Sequence, residues 1–521
     1  MDALPPLSAP TKGVLALTLL AVVIAALQRI LRVDHDPREP PLVPTRIPIF
    51  GHVIGLYRHG KRYYQMIEEQ YGHDIYTLAL PGTKQYVITS PALTAAVSRQ
   101  SKSISFRPFI IDFTKNAMLF DDEADRINRL NLFDENGTGL ITASHDVFYS
   151  MLPSGPALDE ISQSLLNGVA ATFNSLPDSK EPLTIGLTQF AKEIIGFPTV
   201  RALWGPHNIL DADPTLLSAF WDMDSGQIAL GIGVLPWLLA RRAYHGRSRL
   251  HAAMTAYFES DRWLQASALV QARARAHFAH GYSKKMFAHS DTGLLVGALP
   301  NSTFSTFWFL ARLLADRALV ADIRTELAGA GVVSRVDGSK TAVVDVRALR
   351  SRCPLFASAF RETLRLAMPT SSVRAVRRDT LLDGGGGAHL LRGGAACLIE
   401  AGVMHARASV WGPDAAEFNP RRFIDGGGGG VARGVHPAAY RAFGGGEVYC
   451  PGRNLALVEV LGIAAPVVMG WEGEGDISVP EPVDDVMPIG VWKPREDVVV
   501  RLRRREGWED VRLGVNGFRY P

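Results

Sequence analysis

Cys450 stands in the stretch Phe443-Gly444-Gly445-Gly446-Glu447-Val448-Tyr449-Cys450-Pro451-Gly452-Arg453, whose composition suits a working sulfur. Three consecutive glycines let the backbone turn tightly and approach a flat ligand where no side chain would fit. Pro451 and Gly452 keep the chain bent just after the sulfur. From Arg453 onward, Leu455, Val458 and Leu461 have helical spacing. A cysteine at a helix amino terminus has its thiolate stabilised by the helix dipole and by free backbone N–H groups, so it can act as a metal ligand. A lone cysteine beside a glycine turn is more often buried and inert. Phe443, Gly446, Cys450 and Gly452, taken together at their spacings, reverse that preference.

A second stretch, Ala298-Leu299-Pro300-Asn301-Ser302, lies in an apolar-faced segment predicted to run as one long helix from about Leu294 to Leu327. Asn301 has no titratable proton, whereas Ser302 carries a hydroxyl. Pro300 lacks an N–H and clashes with the preceding turn, which predicts a kink and a freed carbonyl near Val296. Two readings stay open: Asn301 and Ser302 take part in moving a proton, or they merely satisfy a broken helix.

The elements that must position these residues are mostly helical. Tyr63 to Tyr71 and the region from about 155 to 370 have helical apolar spacing. Strand-like runs occur at Ile75 to Ala79 and Gln85 to Thr89, around a Pro81-Gly82 turn, and again where Val498, Val500 and Leu502 alternate with Val499, Arg501 and Arg503. The fold class expected is therefore mainly α with small β-sheets. The glycine runs 384–387 and 426–430 read as loops, without the strand-to-helix context of a phosphate site. The Arg501 to Arg505 stretch reads as a solvated strand end beside an anionic surface.

Totals narrow the choice further. The chain has 521 residues and a formal net charge of +3, giving no reason to expect a nucleic-acid partner. Its three cysteines, Cys353, Cys397 and Cys450, are too sparse for a disulfide framework, show no zinc spacing, and suit a reducing compartment. Near the amino terminus an apolar run is expected to form a single-pass transmembrane anchor over 13–31, after a tail of 1–12. Lys12 precedes the run and Arg29, Arg32 and Arg38 follow it, which favours a cytosolic body over a cleaved leader. Pro37, Pro40, Pro41, Pro44 and Pro48 mark 32–50 as a stiff linker to a catalytic domain over 51–521. Sequons at Asn136 and Asn301 would then stay unmodified.

The cysteine stretch resembles the haem-binding pattern F-x-x-G-x-x-x-C-x-G of the cytochrome P-450 superfamily. Glu362-Thr363-Leu364-Arg365, Trp411-Gly412-Pro413-Asp414 and Phe418-Asn419-Pro420-Arg421-Arg422-Phe423 follow the family's order. The resemblance implies haem b (iron protoporphyrin IX) with Cys450 as axial ligand to the iron, and a structural triad of Glu362, Arg365 and Arg422. It also implies a propionate contact from Arg374. His405 falls in a segment similar to H-R-D-P-x-x-W, with Ala406 and Ser409 departing from it. Asn301 stands where most members have an acid, so Ser302 and an ordered water would replace that acid in proton delivery. Val448 departs where an Arg or His is usual. The W-x-x-x-R contact is not visible, and the region of His145 is its loose stand-in.

The F-G-G-G form, Asn301 and the Phe307-Trp308 pair are similar to the sterol 7α-hydroxylase and prostacyclin synthase branch and its fungal members. What this implies is a monooxygenase at the endoplasmic reticulum membrane, taking electrons from NADPH-cytochrome P-450 reductase to hydroxylate or oxidise a lipophilic sterol, terpenoid or other natural-product intermediate. An isomerase or dehydratase of an oxygenated lipid, needing no NADPH, and a non-catalytic haem-binding protein are the alternatives. Candidate pocket residues lie from Phe106 to Leu119, along Ala298 to Ser302, and at Ser371, Ser372 and Ile489.

Overall fold

A computed structural model describes residues 18, 33–47, 50–134, 137–177, 181–335, 340–424 and 432–515. The anchor expected over 13–31 and the sequon at Asn136 lie outside the described residues, Thr18 excepted. The described chain is mainly helical with small sheets, and it divides into two compact units. One holds the described residues up to Phe106 together with Ser371–Val403 and Asp484–Met487. The other holds Arg107–Thr370, Met404–Val483 and the described residues from Pro488 onward.

The smaller unit is built on a five-stranded sheet. Strands β1 (Ile75–Leu80) and β2 (Thr83–Ile88) form an antiparallel hairpin with Ile75 opposite Ile88, turning at Gly82, whose φ of 69° suits glycine. The short β3 (Ile104–Ser105) lies at the far edge. Two strands from later in the chain complete the order β1-β2-β6-β5-β3, with β5 at Ser371–Val376 and β6 at Ala396–Glu400. Tyr76, Leu78 and Val87 face a core that includes Tyr64 and Ile67 from helix α1 (Arg62–Tyr71).

Part of the proline-dense stretch belongs to this unit and is not a free spacer. Glu39 is buried because Lys84 Nζ (2.6 Å) and the Tyr86 hydroxyl (2.7 Å) donate to its carboxylate, and Val43 N donates to Thr77 O.

In the larger unit the residues between 140 and 315 form packed helices. These are α2 (Leu140–Met151), α3 (Pro156–Asn174), α4 (Leu187–Trp204), α5 (Leu216–Ser225), α6 (Arg241–Glu259) and α7 (Lys284–Ala315). The long segment expected to Leu327 ends earlier. Asp316 leaves the helical region and its carboxylate accepts from Leu319 N, capping a new helix, α8 (Arg317–Gly329). Helix α9 (Pro354–Ala367) carries the Glu362/Arg365 pair, and α10 (Arg453–Gly470) follows the cysteine loop. A three-stranded sheet of β4 (Leu183–Gly186), β7 (Trp471–Glu474) and β8 (Val499–Arg504) lies in the same unit, with β8 central. Val500 and Leu502 are buried on β8 while Val499 is exposed, as the alternation requires.

The basic stretch at the end of β8 is largely paired within the protein. Arg501 and Arg503 face Glu474, Arg504 stacks on Trp471, and Arg505 donates to Met469 O. Helices α7 and α10 are long and apolar enough to cross a bilayer, yet 67% and 72% of their most apolar windows are buried inside the protein. They are core elements.

Within the smaller unit Lys61 is 3% exposed, its Nζ 2.5 Å from Glu400 Oε2. Ser371 Oγ donates to the same oxygen at 2.6 Å. Burial pushes the Lys61 ammonium below its ordinary value while Glu400 opposes the shift. Glu400→Ala would strand a buried cation, so we expect a loss of about 3–5 kcal/mol in chemical denaturation. A loss below 1 kcal/mol would mean that this pair does not hold β5 and β6 to the segment before α1.

Candidate haem site

The cysteine loop is fixed from behind by a buried ion cluster. Glu362 and Arg365 are one helical turn apart on α9 and both are fully buried. Arg365 Nε and Nη2 donate to the two Glu362 oxygens at 2.8 Å each. Arg422 Nε reaches Glu362 Oε1 at 2.9 Å, and its two terminal nitrogens bind Asp414 and the Trp411 carbonyl. Asn419 N donates to Glu362 Oε1 as well. Both carboxylate oxygens that burial strips of water thus have charged or N–H donors, which a buried carboxylate requires.

His405 carries this order forward to the loop. Its Nδ1 is 3.2 Å from Met368 O, so that nitrogen holds the proton, and Nε2 accepts from Arg441 N at 2.9 Å. Burial and the nearby Arg365 push its pKa down to about 3, so the ring stays neutral and keeps this tautomer. From Arg441 the loop closes on itself: Gly444 N donates to Arg441 O, Tyr449 N to Gly446 O, and Cys450 N to Phe443 O at 2.8 Å. Gly444 has φ of 72°, and a Cβ there would lie 2.6 Å from Val448 O. A side chain at 444 would open the turn.

Cys450 lies just before α10, and the backbone N–H groups of Gly452 and Arg453 point at its sulfur. These donors and the Arg453 guanidinium pull its pKa down. Burial pushes it up more strongly, so the free thiol stands above its ordinary value. Cys353 and Cys397 are fully buried, with burial pushing both thiols up to about 12, and have the character of inert core residues.

Two further side chains tie down the loop. Arg107 Nε donates to Glu447 Oε1 at 2.9 Å, and its Nη1 donates to Leu132 O and Thr142 Oγ1. The Tyr149 hydroxyl donates to Tyr449 O. His145 stacks on the Tyr149 ring at 4.2 Å and is itself exposed, so Tyr149 is the residue of that turn that reaches the cysteine loop. Arg374 is buried on β5 in the smaller unit, donating from Nη1 to Ser372 Oγ at 2.6 Å. Ser371 is engaged by Glu400, and Ile489 is exposed.

Helix α7 continues through Pro300 and has two unlike faces. Of Gly293, Gly297 and Asn301, at four-residue spacing, Gly297 is exposed and a Cβ there would meet nothing within 4 Å, whereas Met118 lies over Gly293 and Gly490 and Val491 lie against Asn301. That bare position and the tight cysteine turn fit a large flat group held by a sulfur, which is what haem requires. Asn301 Oδ1 accepts from Val491 N at 3.1 Å, and Gly490 leaves room for it: a Cβ at 490 would lie 1.9 Å from that oxygen. The Asn301 sequon therefore sits in a packed helix and not on a loop.

Ser302 faces the other way. It and Thr199 of α4 hydrogen-bond the carboxyl of Glu459 on α10, which is 2% exposed. Asn301 and Ser302, paired in the sequence reading, are thus on different faces. Ser302 belongs to a buried network whose central acid that reading did not single out, because Glu459 follows Cys450 by more than two turns.

Burial pushes Glu459 from 4.5 to about 7, against the two hydroxyls, and no cation among the described residues pairs with it. Below its ordinary value the carboxyl is protonated whether the chain is folded or not. As pH rises towards 7 the unfolded chain ionises first, so the folded state loses roughly 3 kcal/mol at ~1.4 kcal/mol per unit. Glu459→Gln cannot titrate. Its stability relative to the parent is expected to rise by about that amount between pH 4.5 and 7.5, read from urea midpoints. A pH-independent difference would show that the acid titrates normally.

Comparison with known proteins agrees with this geometry. The cytochrome P450 family model matches residues 262–471, a span that includes α7, α9, the ion cluster and the cysteine loop. The cytochrome P450 monooxygenase nodJ of Hypoxylon pulicicidum is 27% identical over 92% of this chain and 92% of its own length. A cytochrome P450 monooxygenase of Gibberella zeae is 28% identical over 91% and 90%. The retinoic acid-bound cyanobacterial CYP120A1 superposes with a TM-score of 0.67 at 17% identity, covering 90% of this chain and 99% of that one. Over residues 262–471 the chain carries the cytochrome P450 domain, and over nine-tenths of its length it is similar to fungal cytochrome P450 monooxygenases.

Proposed function

We propose that Cys450 is the axial ligand of the haem and that the protein hydroxylates or oxidises a lipophilic sterol, terpenoid or other natural-product intermediate. The observations that carry this reading are a sulfur at the start of α10 and a bare glycine position, Gly297, on the exposed side of α7. When bound, haem supplies the iron at which O2 is reduced by electrons drawn from NADPH through NADPH-cytochrome P450 reductase. The chain's own contributions are positional. Gly452 N and Arg453 N donate to the sulfur, and the Glu362 cluster acting through His405 keeps the loop rigid. Asn301 fixes the 490–491 turn over one end of the α7 face. The named fungal relatives, one of them from Penicillium oxalicum, support the monooxygenase chemistry.

A membrane location, at the endoplasmic reticulum, fits an apolar substrate. Besides the apolar run near the amino terminus, Ile232, Val234, Leu235, Trp237, Leu238 and Leu239 are all at least half exposed between α5 and α6, and Arg241 and Arg242 follow them directly. An apolar stretch containing Trp and followed by arginines is the composition of a segment that lies in a headgroup layer.

One observation favours the NADPH-independent isomerase as second reading. The open face of α7 carries Gly293, Leu294, Gly297, Ala298 and Asn301, with no carboxylate among them. The two are separated by incubating the purified protein with reductase, NADPH, 18O2 and a panel of sterols and terpenoids. The monooxygenase balance is RH + O2 + NADPH + H+ → ROH + H2O + NADP+, so the product gains one labelled atom and none forms without NADPH. Turnover of a lipid peroxide without NADPH, and no labelled product from any panel member, would replace this reading with the isomerase.

A further inference from the structure

A cluster of polar groups at one end of the α7 face has no role in the haem site. Lys192 of α4 places its Nζ 4.9 Å from the centroid of the Trp221 ring on α5. No carboxylate among the described residues lies within ion-pair distance of it. Trp221 packs edge-on against Phe304 of α7 at 5.7 Å, and its indole Nε1–H is buried without an acceptor. Lys493 lies 5.7 Å from the Phe304 ring centroid but is neutralised by Asp224 at 2.5 Å. The remaining nearby acid, Asp497, spends Oδ1 on the N–H groups of Thr188 and Val498.

Asp224 and Asp497 attract the Lys192 ammonium only from beyond ion-pair distance, so the cluster keeps one cation without a direct partner beside one buried donor without an acceptor. Both features are costly: burial and the charge of Lys493 push the Lys192 ammonium below its ordinary value, and a buried N–H without an acceptor forfeits its bond to water. An anionic oxygen placed between them removes both costs. Its position suits a long ligand, since Phe304 follows Asn301 by three residues on α7, and Lys493 is two residues beyond Val491, which Asn301 holds. These links place the cluster about one turn beyond Asn301 along α7.

We propose that Lys192 and the Trp221 indole N–H form a binding site for a carboxylate carried by the lipophilic substrate. This rests on the monooxygenase reading only in taking the ligand of the α7 face as the substrate. The carboxylate sets which end of the molecule is held, and so which carbon lies beside Gly297. A charge-assisted hydrogen bond in a largely apolar site is worth about tenfold or more in affinity.

The test compares abietic acid with its methyl ester, two molecules of the same tricyclic shape, using the full-length protein and equilibrium dialysis. The acid is expected to bind at least roughly tenfold more tightly than the ester. Lys192→Met should abolish that preference, Lys192→Arg should keep it, and Trp221→Phe should reduce it. Equal affinity for acid and ester, failure of the acid to bind, or a preference that survives Lys192→Met would overturn the proposal. Dialysis does not depend on the iron, and a haem absorbance spectrum taken alongside reports on folding of each variant. Loss of a thiolate haem spectrum in the parent protein would count against the monooxygenase reading and leave the dialysis comparison standing.

Discussion

The larger unit depends on one buried carboxylate. Glu362 has no access to water and is held by Arg365, Arg422 and the N–H of Asn419, so α9 and the segment from Trp411 to Phe423 must come together in one arrangement. An unmatched charge at that depth costs several kcal/mol, on the order of half the stability of an ordinary domain. Arg365 Nη1 also binds the carbonyls of His405 and Ala415, and His405 in turn holds Arg441 N. The position of the sulfur is therefore set by a chain of polar contacts that begins well outside the loop. The glycines of the loop contribute shape, and the cluster contributes rigidity.

Helix α7 shows how one element serves two incompatible demands. Its open face is bare at Gly297, where no side chain of the described residues comes within 4 Å of a Cβ position. Its opposite face has to bury polar groups, and Ser302 does this through Glu459 and Thr199. Asn301 lies between the two and spends its amide oxygen on Val491 N. The absence of a carboxylate at 301 does not leave the region without an acid, because Glu459 is buried one helix away with its pKa near neutrality. That acid faces the core side of α7, whereas the side bare at Gly297 is the one that suits a flat ligand.

Much of this was legible in the sequence because it is local. The loop from Phe443 to Gly452, the Glu362/Arg365 turn and the hairpin around Gly82 each depend on residues within a few positions of one another. The contacts missed are those made by residues distant in sequence. Glu459, Thr199 and Ser302 come from three helices, and Lys192 meets Trp221 only after α4 and α5 pack. The break at Asp316 was missed because apolar spacing resumes in phase after it, while the signal that ends the helix is a single capping carboxylate. Residues 36–43 were read as spacer from their prolines, but the buried Glu39 and Val43 make them part of the sheet unit. His145 is exposed and stacks on Tyr149, one turn further along α2, whose hydroxyl donates to Tyr449 O.

One sulfur, that of Cys450, is proposed to bind the haem iron. The most direct measurement is the absorbance difference spectrum of the dithionite-reduced protein with and without carbon monoxide, for the parent chain and for Cys450→Ala purified in the same way. The parent should give the red-shifted Soret band of a thiolate-ligated carbonyl complex and the variant should lose it completely, with Cys353→Ala and Cys397→Ala unchanged. A Cys450→Ala protein that still gives the thiolate band, or a parent chain that takes up no haem, would contradict it.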